Sequence, residues 1–163
     1  MTENERRDMN RRVAVAMGWK WIKTRKNLQC GPPIVFHASF KHPDSLPSCV
    51  QWEEWKGTPE EAHAEALKAG GDPYWGVPPY CTDPAAADLV RQEIERRKWT
   101  LATRSQIPGY EDDPQPRYWI VEIVKPWSSE KGAYVKSTTS HHHAICLAFL
   151  AVCEDKERKE AGK

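Results

Sequence analysis

The chain has 163 residues, a length that suits one domain with a single hydrophobic core. With 39% hydrophobic residues and 8 Trp, its composition excludes a disordered chain. The formal net charge of +1 argues against a protein that wraps nucleic acid by bulk electrostatics.

Three features predict a cytoplasmic protein. Charges occur throughout the N-terminal residues 1–30, so we expect no signal peptide. The longest apolar run, residues 144–153, is about half of the roughly 20 residues that span a bilayer, so we expect no membrane partner. The 5 Cys include no close CxxC pair, which favours reduced thiols in a reducing compartment.

The chain begins with a predicted helix over Glu3 to Met17. Its apolar side chains recur at three- and four-residue steps, and Gly18 is a suitable stop. Residues 19–25 then suit a short extended segment.

Residues 27–75 lose clear periodicity and are rich in Pro, Gly and Trp. We interpret them as a long loop insertion in a single domain that covers residues 1–163. Within the insertion we expect a strand over residues 34–40. We also expect a short helix that opens at Thr58 with a capping box and ends at Ala69.

The C-terminal half alternates helices and strands. Asp83 is a good N-cap and Pro84 suits the first helical position, so we predict a helix over residues 84–97. Ser140 is predicted to cap a last helix that ends near Asp155. Between the two helices we expect a strand over 99–107, a hairpin loop over 109–116, a strand over 117–124, a turn over 126–132 and a strand over 133–138.

Two of these elements carry apolar residues on every side. The strand over 117–124 is apolar on both alternate faces, which predicts that both faces are covered. On it, Glu122 is either a buried carboxylate or lies at an end-of-strand or Arg-paired position. The last helix is apolar all round, so it packs against several neighbours or forms half of a homo-oligomer interface.

The chain resembles the phage ABA-sandwich domain family, small proteins of bacteriophages and prophages. The resemblance covers residues 9–26 and 76–154. It rests on Met17-Gly18-Trp19, on Pro79-Tyr80-Cys81-Thr82-Asp83 and on the final apolar helix. It implies an α+β fold, an α-β-α sandwich with a short antiparallel sheet of three or more strands covered by helices on both faces. It implies no catalytic residue, and residues 27–75 lie outside it.

The residues after the first helix combine aromatic rings with cations. Such a mixture suits a nucleotide or a single-stranded nucleic acid, by stacking and phosphate pairing. It also suits core tryptophans flanked by lysines whose stems lie along the protein. The candidate ligand-binding residues are Trp19, Lys20, Trp21, Lys23, Arg25 and Tyr80.

Cys81 precedes a helix N-terminus, where the helix dipole can lower the pKa of a thiol. A histidine from His141, His142 and His143 could serve as its base. Asp83 and Pro84 nevertheless explain the turn completely, so we interpret Cys81 as a small residue packed in a turn.

No metal or cofactor is predicted. Three adjacent histidines on a helix point about 100 degrees apart and do not share one ion; we interpret them as exposed helix-start residues. Cys30, His37, His42 and Cys49 are suitable zinc ligand types, but their spacing lacks the close pairs of structural zinc sites.

These features together predict a phage-encoded, non-enzymatic and homo-oligomeric binding protein in the cytoplasm of the bacterial host. We expect it to engage a host protein or to sequester a small anionic ligand, such as a nucleotide signal, in a counter-defence role. One alternative is a small hydrolase or transferase that uses Cys81 and a histidine. The other is a nucleic-acid-binding accessory protein that uses the N-terminal basic stretch.

Overall fold

The computed structural model describes residues 1–25, 37–46, 51–70, 72–74, 76–106, 118–125, 132–137 and 139–161. In these ranges the chain forms four α-helices and two three-stranded antiparallel sheets, an α+β fold as predicted. In chain order the elements are α1 (Glu3–Ala16), β1 (Lys20–Arg25), β2 (His37–Lys41), a 3-10 helix (Pro43–Ser45), β3 (Gln51–Glu54), α2 (Pro59–Lys68), α3 (Pro84–Arg96), β4 (Thr100–Gln106), β5 (Tyr118–Val124), β6 (Ala133–Ser137) and α4 (His141–Ala161).

The chain divides into two compact units. The larger unit consists of residues 1–17 and 78–163, and the smaller unit consists of residues 18–77. The smaller unit contains the predicted insertion, but it begins earlier because β1 is the central strand of its sheet. The predicted hairpin loop at 109–116 lies outside the described residues, as does most of the predicted turn at 126–132.

The predicted caps set the starts of α3 and α4. The Oδ1 of Asp83 accepts a hydrogen bond from the backbone N–H of Ala85 at 3.0 Å, and Pro84 occupies the first turn. The Oγ of Ser140 accepts a hydrogen bond from the backbone N–H of His143 at 3.1 Å. Both helices therefore begin where the local sequence satisfies their first free amide groups.

Sheet 1, with strand order β2-β1-β3, forms the smaller unit together with α2. α2 opens with the predicted capping box, in which Thr58 and Glu61 each accept a hydrogen bond from the other's backbone N–H. The helix packs on β2. The small core combines three buried alanines with two partly buried tryptophans: Ala38, Ala62, Ala66, Trp21 and Trp55.

Sequence analysis did not predict β3. The strand has four residues, Gln51–Glu54, and its polar composition has no strand-like alternation. It pairs antiparallel with β1, from Ile22 opposite Glu54 to Arg25 opposite Gln51. Its strand geometry therefore depends on a hydrogen-bonding neighbour far away in the sequence, which a local pattern does not contain.

Sheet 2, with strand order β4-β5-β6, belongs to the larger unit. α4 packs on β5 and β6 and also contacts α1 and α3. The prediction that this helix needs partners on several sides is confirmed. Contacts within the chain cover the apolar surface of α4. This surface by itself therefore does not require a second subunit. Its buried residues are Ala144, Ile145, Cys146, Ala148, Phe149, Leu150 and Val152.

The two faces of β5 have different environments. Val121 and Ile123 are fully buried on one face. On the other face Ile120 is buried, but Glu122 and Val124 are exposed. The structure thus differs from the expectation that both faces of this strand are covered, because apolar alternation does not specify which face a helix covers.

Arg97 connects the three helices of the larger unit at the end of α3. Its Nε donates to Oε1 of Glu93 at 2.6 Å, and its Nη2 donates to the carbonyl oxygen of Ala16 at 2.6 Å. Its guanidinium carbon lies 5.1 Å from the ring centroids of both Trp99 and Phe149. The charge is thus held by a carboxylate, by the negative end of α1 and by two aromatic rings.

Candidate functional site

Trp19 and Trp21, predicted to bind a ligand, pack on other aromatic rings of the smaller unit. The centroid of the Trp21 ring lies 5.4 Å from that of Phe40 and 5.6 Å from that of Tyr74. The Trp19 ring lies 5.7 Å from Phe40. Trp21 also packs against the buried alanines of the smaller unit. These contacts favour the alternative in which the tryptophans belong to the core.

The cations of β1 have partners within the smaller unit. The Nζ of Lys20 lies 3.0 Å from Oε2 of Glu54. The Nζ of Lys23 lies 4.7 Å from the ring centroid of Trp55. The side chain of Arg25 lies outside the described part of the structure. An anion at Lys20 would therefore compete with a carboxylate that is already in place.

The motif before α3 is buried. Tyr80 and Cys81 each have a relative exposure of 1%, so the predicted ligand residue Tyr80 offers no free ring face. The backbone N–H of Cys81 donates to Oδ1 of Asn10 at 3.1 Å. Burial raises the pKa of the Cys81 thiol, which is the opposite of what a nucleophile needs. The geometry supports the packed-turn interpretation and gives no support to catalysis by Cys81.

The histidines at the start of α4 are half-buried and have structural contacts. The His141 ring lies 4.7 Å from that of Trp119, and its Nδ1 lies 3.3 Å from Nη2 of Arg91. The Nδ1 of His143 lies 2.9 Å from Oγ of the buried Ser137. Burial lowers the pKa of both histidines, with the Arg91 charge adding to the effect at His141.

The zinc alternative is not tested, because Cys30, Cys49 and the side chain of His37 lie outside the described residues. Among the residues that are described, no group of three or more His, Cys, Asp or Glu side chains is placed to hold a metal ion.

A cleft of about 360 Å³ lies between α1 and the start of α4. Its charged side chains have both signs, and Arg12 in its wall is already paired with Glu154. The cleft therefore does not select an anionic ligand. Its lining residues are Met1, Glu5, Asp8, Met9, Arg12 and His143.

Exposed aromatic and basic side chains share the outer face of sheet 2, the face opposite α4. The antiparallel register places Tyr134 opposite Glu122, and it places both Arg104 and Lys136 opposite Ile120. Directly paired residues project to the same face. We call this surface the outer face; it consists of Thr100, Ala102, Arg104, Tyr118, Ile120, Glu122, Val124, Tyr134 and Lys136.

The outer face presents one highly exposed ring and a second ring under a cation. Tyr134 has a relative exposure of 59%. Tyr118 is half-buried, and the Nζ of Lys136 lies 3.5 Å from its ring centroid. Within the described ranges neither Arg104 nor Lys136 forms an ion pair, although Lys136 lies on the Tyr118 ring, so the face carries two cations that no carboxylate holds.

Sequence analysis missed this surface. The sequence signal for this surface is the strand alternation over residues 133–138, which places Tyr134 and Lys136 on one face. The prediction of a buried, end-of-strand or Arg-paired Glu122 was also wrong: this carboxylate is exposed in the middle of the outer face and forms no ion pair among the described residues. Which side of the strand is free depends on where α4 packs, and the local pattern does not contain that information.

Comparison of the chain with family models, with curated proteins and with solved structures found no match in any of the three. The resemblance to phage ABA-sandwich proteins therefore stays a prediction. In the part of the chain that the structure describes, no helix has both the length and the apolar composition needed to cross a membrane.

Proposed function

We propose that this protein is a non-enzymatic binding protein that holds an anionic ligand with an aromatic base, of the nucleotide type, on the outer face of sheet 2. The observation that carries the proposal is the exposed ring of Tyr134 on the same face as the cations Arg104 and Lys136. An exposed ring supplies a stacking surface, and unpaired cations supply partners for phosphate.

The proposal includes the setting expected from the sequence. A phage or prophage product of this kind would act in the bacterial cytoplasm and would sequester a nucleotide signal as a counter-defence. Binding without turnover agrees with the buried state of Cys81, the nucleophile considered for catalysis, and of Ser137, the hydroxyl next to His143.

A titration that detects weak binding tests the proposal. Amide resonances of the isotope-labelled protein are followed while uridine monophosphate is added, with ribose 5-phosphate as a matched control that lacks the base. We expect resonances of β5 and β6 to shift with the nucleotide and to shift far less with the sugar phosphate.

Two variants locate the binding surface. Tyr134→Ala is expected to abolish the shifts, and Trp19→Ala is expected to leave them unchanged. If Trp19→Ala removes binding and Tyr134→Ala does not, the ligand lies on β1 and the assignment to the outer face is rejected.

A further inference from the structure

We infer that the outer face accommodates a single strand of nucleic acid that spans several nucleotides, with Tyr118 and Tyr134 stacking on different bases. This inference rests on the proposed function and specifies the ligand class for the same surface.

The spacing of the two rings carries the inference. Tyr134 lies opposite Glu122, which is four residues from Tyr118 along β5. Four residues of strand extend about 13 Å, and the neighbouring strand adds about 4.8 Å across. One base cannot stack on both rings at that separation. In RNA-binding sheets of the RRM type, aromatic side chains stack two or three bases, and proteins that bind single strands commonly stack successive bases on aromatic rings.

Along the strand direction, the two cations lie at a level between those of the two rings, with Arg104 on β4 and Lys136 on β6. Arg104 and Lys136 both pair with Ile120, the residue between Tyr118 and Glu122 on the outer face. The sugar-phosphate backbone that links the two stacked bases would cross the sheet near Ile120, where its phosphates can contact the two cations. Lys136 covers the ring of Tyr118, so a base that stacks there displaces the ammonium, which then becomes available to a phosphate.

The same features disfavour a duplex and a protein partner. Paired bases are already stacked and present no free face to a tyrosine, and a net charge of +1 is weak for holding a duplex backbone. Charged residues interrupt the apolar residues of this face, since Glu122 lies directly opposite Tyr134 and both Arg104 and Lys136 lie opposite Ile120. The apolar residues therefore do not form the continuous apolar patch that is typical of a protein interface.

Fluorescence anisotropy with a labelled oligothymidylate tests the inference on the full chain. Unlabelled thymidine monophosphate, the dinucleotide, the tetranucleotide, an octanucleotide and a duplex serve as competitors, and oligouridylate tests RNA. We expect affinity to rise from the mononucleotide to the tetranucleotide and then to level off, with the duplex much weaker. Two phosphate contacts predict a slope of about −1.4 for the logarithm of affinity against that of salt concentration.

Variants test the two stacking positions. Tyr134→Ala is expected to weaken tetranucleotide binding about tenfold, whereas Tyr134→Phe keeps the ring and stays within about twofold of the wild type. Arg104→Gln, which alters only an exposed side chain, should make the slope of affinity against salt less steep by about 0.7. Circular dichroism of each variant verifies the fold.

The outcomes separate the two proposals. If the mononucleotide competes as well as the tetranucleotide, the strand inference is rejected and the proposed function stands. If the duplex competes equally well, the inference is also rejected. If no nucleotide or oligonucleotide binds in anisotropy or in the resonance titration, both are rejected.

Discussion

Each sheet of this protein carries a cluster of aromatic and basic residues, and the two clusters have opposite environments. On β1 the ring of Trp21 is packed among Phe40 and Tyr74, and Lys20 is paired with Glu54. On the outer face Tyr134 is exposed, and Lys136 has only an aromatic neighbour among the described residues. The same residue types therefore form a core in one unit and an available surface in the other.

The difference arises because, in each sheet, a helix packs on a different face relative to the cluster. In the smaller unit α2 packs against the face of sheet 1 that carries Trp21. In the larger unit α4 covers the face of Val121 and Ile123, and the outer face keeps its exposed side chains. Removing a ring should accordingly affect stability in the first cluster and binding in the second.

The largest expected effect is on the smaller unit. Trp21→Ala removes a ring that contacts three other aromatic side chains, and we expect a loss of about 3 kcal/mol in the free energy of unfolding. Urea-induced unfolding followed by circular dichroism measures it. The matched variant Tyr134→Ala should change stability by less than about 0.5 kcal/mol. Equal losses in the two variants would remove the distinction between the clusters.

Arg97, a partly buried cation that contacts two rings, should behave like Trp21 and unlike Lys136. Arg97→Ala leaves the buried Glu93 without one of its two arginine partners and removes the contacts of Arg97 with Trp99 and Phe149. We expect a loss of about 2–3 kcal/mol, somewhat below the cost of a fully broken buried pair. Lys136→Ala, which removes an exposed cation from a ring, should cost less than about 1 kcal/mol. Thermal unfolding of both variants measures the contrast.

Acid should weaken the same interior pair. Burial raises the pKa of Glu93, but hydrogen bonds from Arg96 and Arg97 outweigh it and hold the pKa below its ordinary value. The ionised carboxylate therefore stabilises the fold at pH values above the ordinary pKa of glutamate. This stabilisation is lost as the pH falls through the lowered pKa of Glu93. We expect the stability difference between wild type and Glu93→Gln to be greatest at neutral pH and to shrink on acidification. A difference that stays constant from neutral to acidic pH would contradict this role.

The sequence was sufficient for the starts of the helices because their signals are local, whereas the end of α4 was predicted near Asp155 and the helix continues to Ala161. Asp83 with Pro84, and Thr58 with Glu61, satisfy amide groups within one turn, so the starts of α3 and α2 were predicted to the residue. β3 has no such signal, since it is held by pairing with β1, a strand far away in the sequence.

The candidate site was harder to predict than the fold. Alternation in β1 places Trp21 and Lys23 on one face, but it does not show that α2 covers that face. Tyr118 and Tyr134 lie on different strands, and only the β5–β6 register places them on one surface. Exposure is a property of tertiary packing, so residue type alone does not distinguish the two chemically similar clusters.

The smallest expected effect concerns Glu122, the acidic residue in the middle of the outer face. A carboxylate there repels the phosphates of a bound strand, so Glu122→Gln should tighten binding of the labelled oligothymidylate about two- to threefold at low salt. Exposed charges interact weakly and are screened, so the gain should disappear at high salt. Glu95→Gln, which removes an equally exposed carboxylate from α3, is the control for net charge. If both variants tighten binding equally, the gain reflects overall charge and the oligonucleotide does not lie across Glu122.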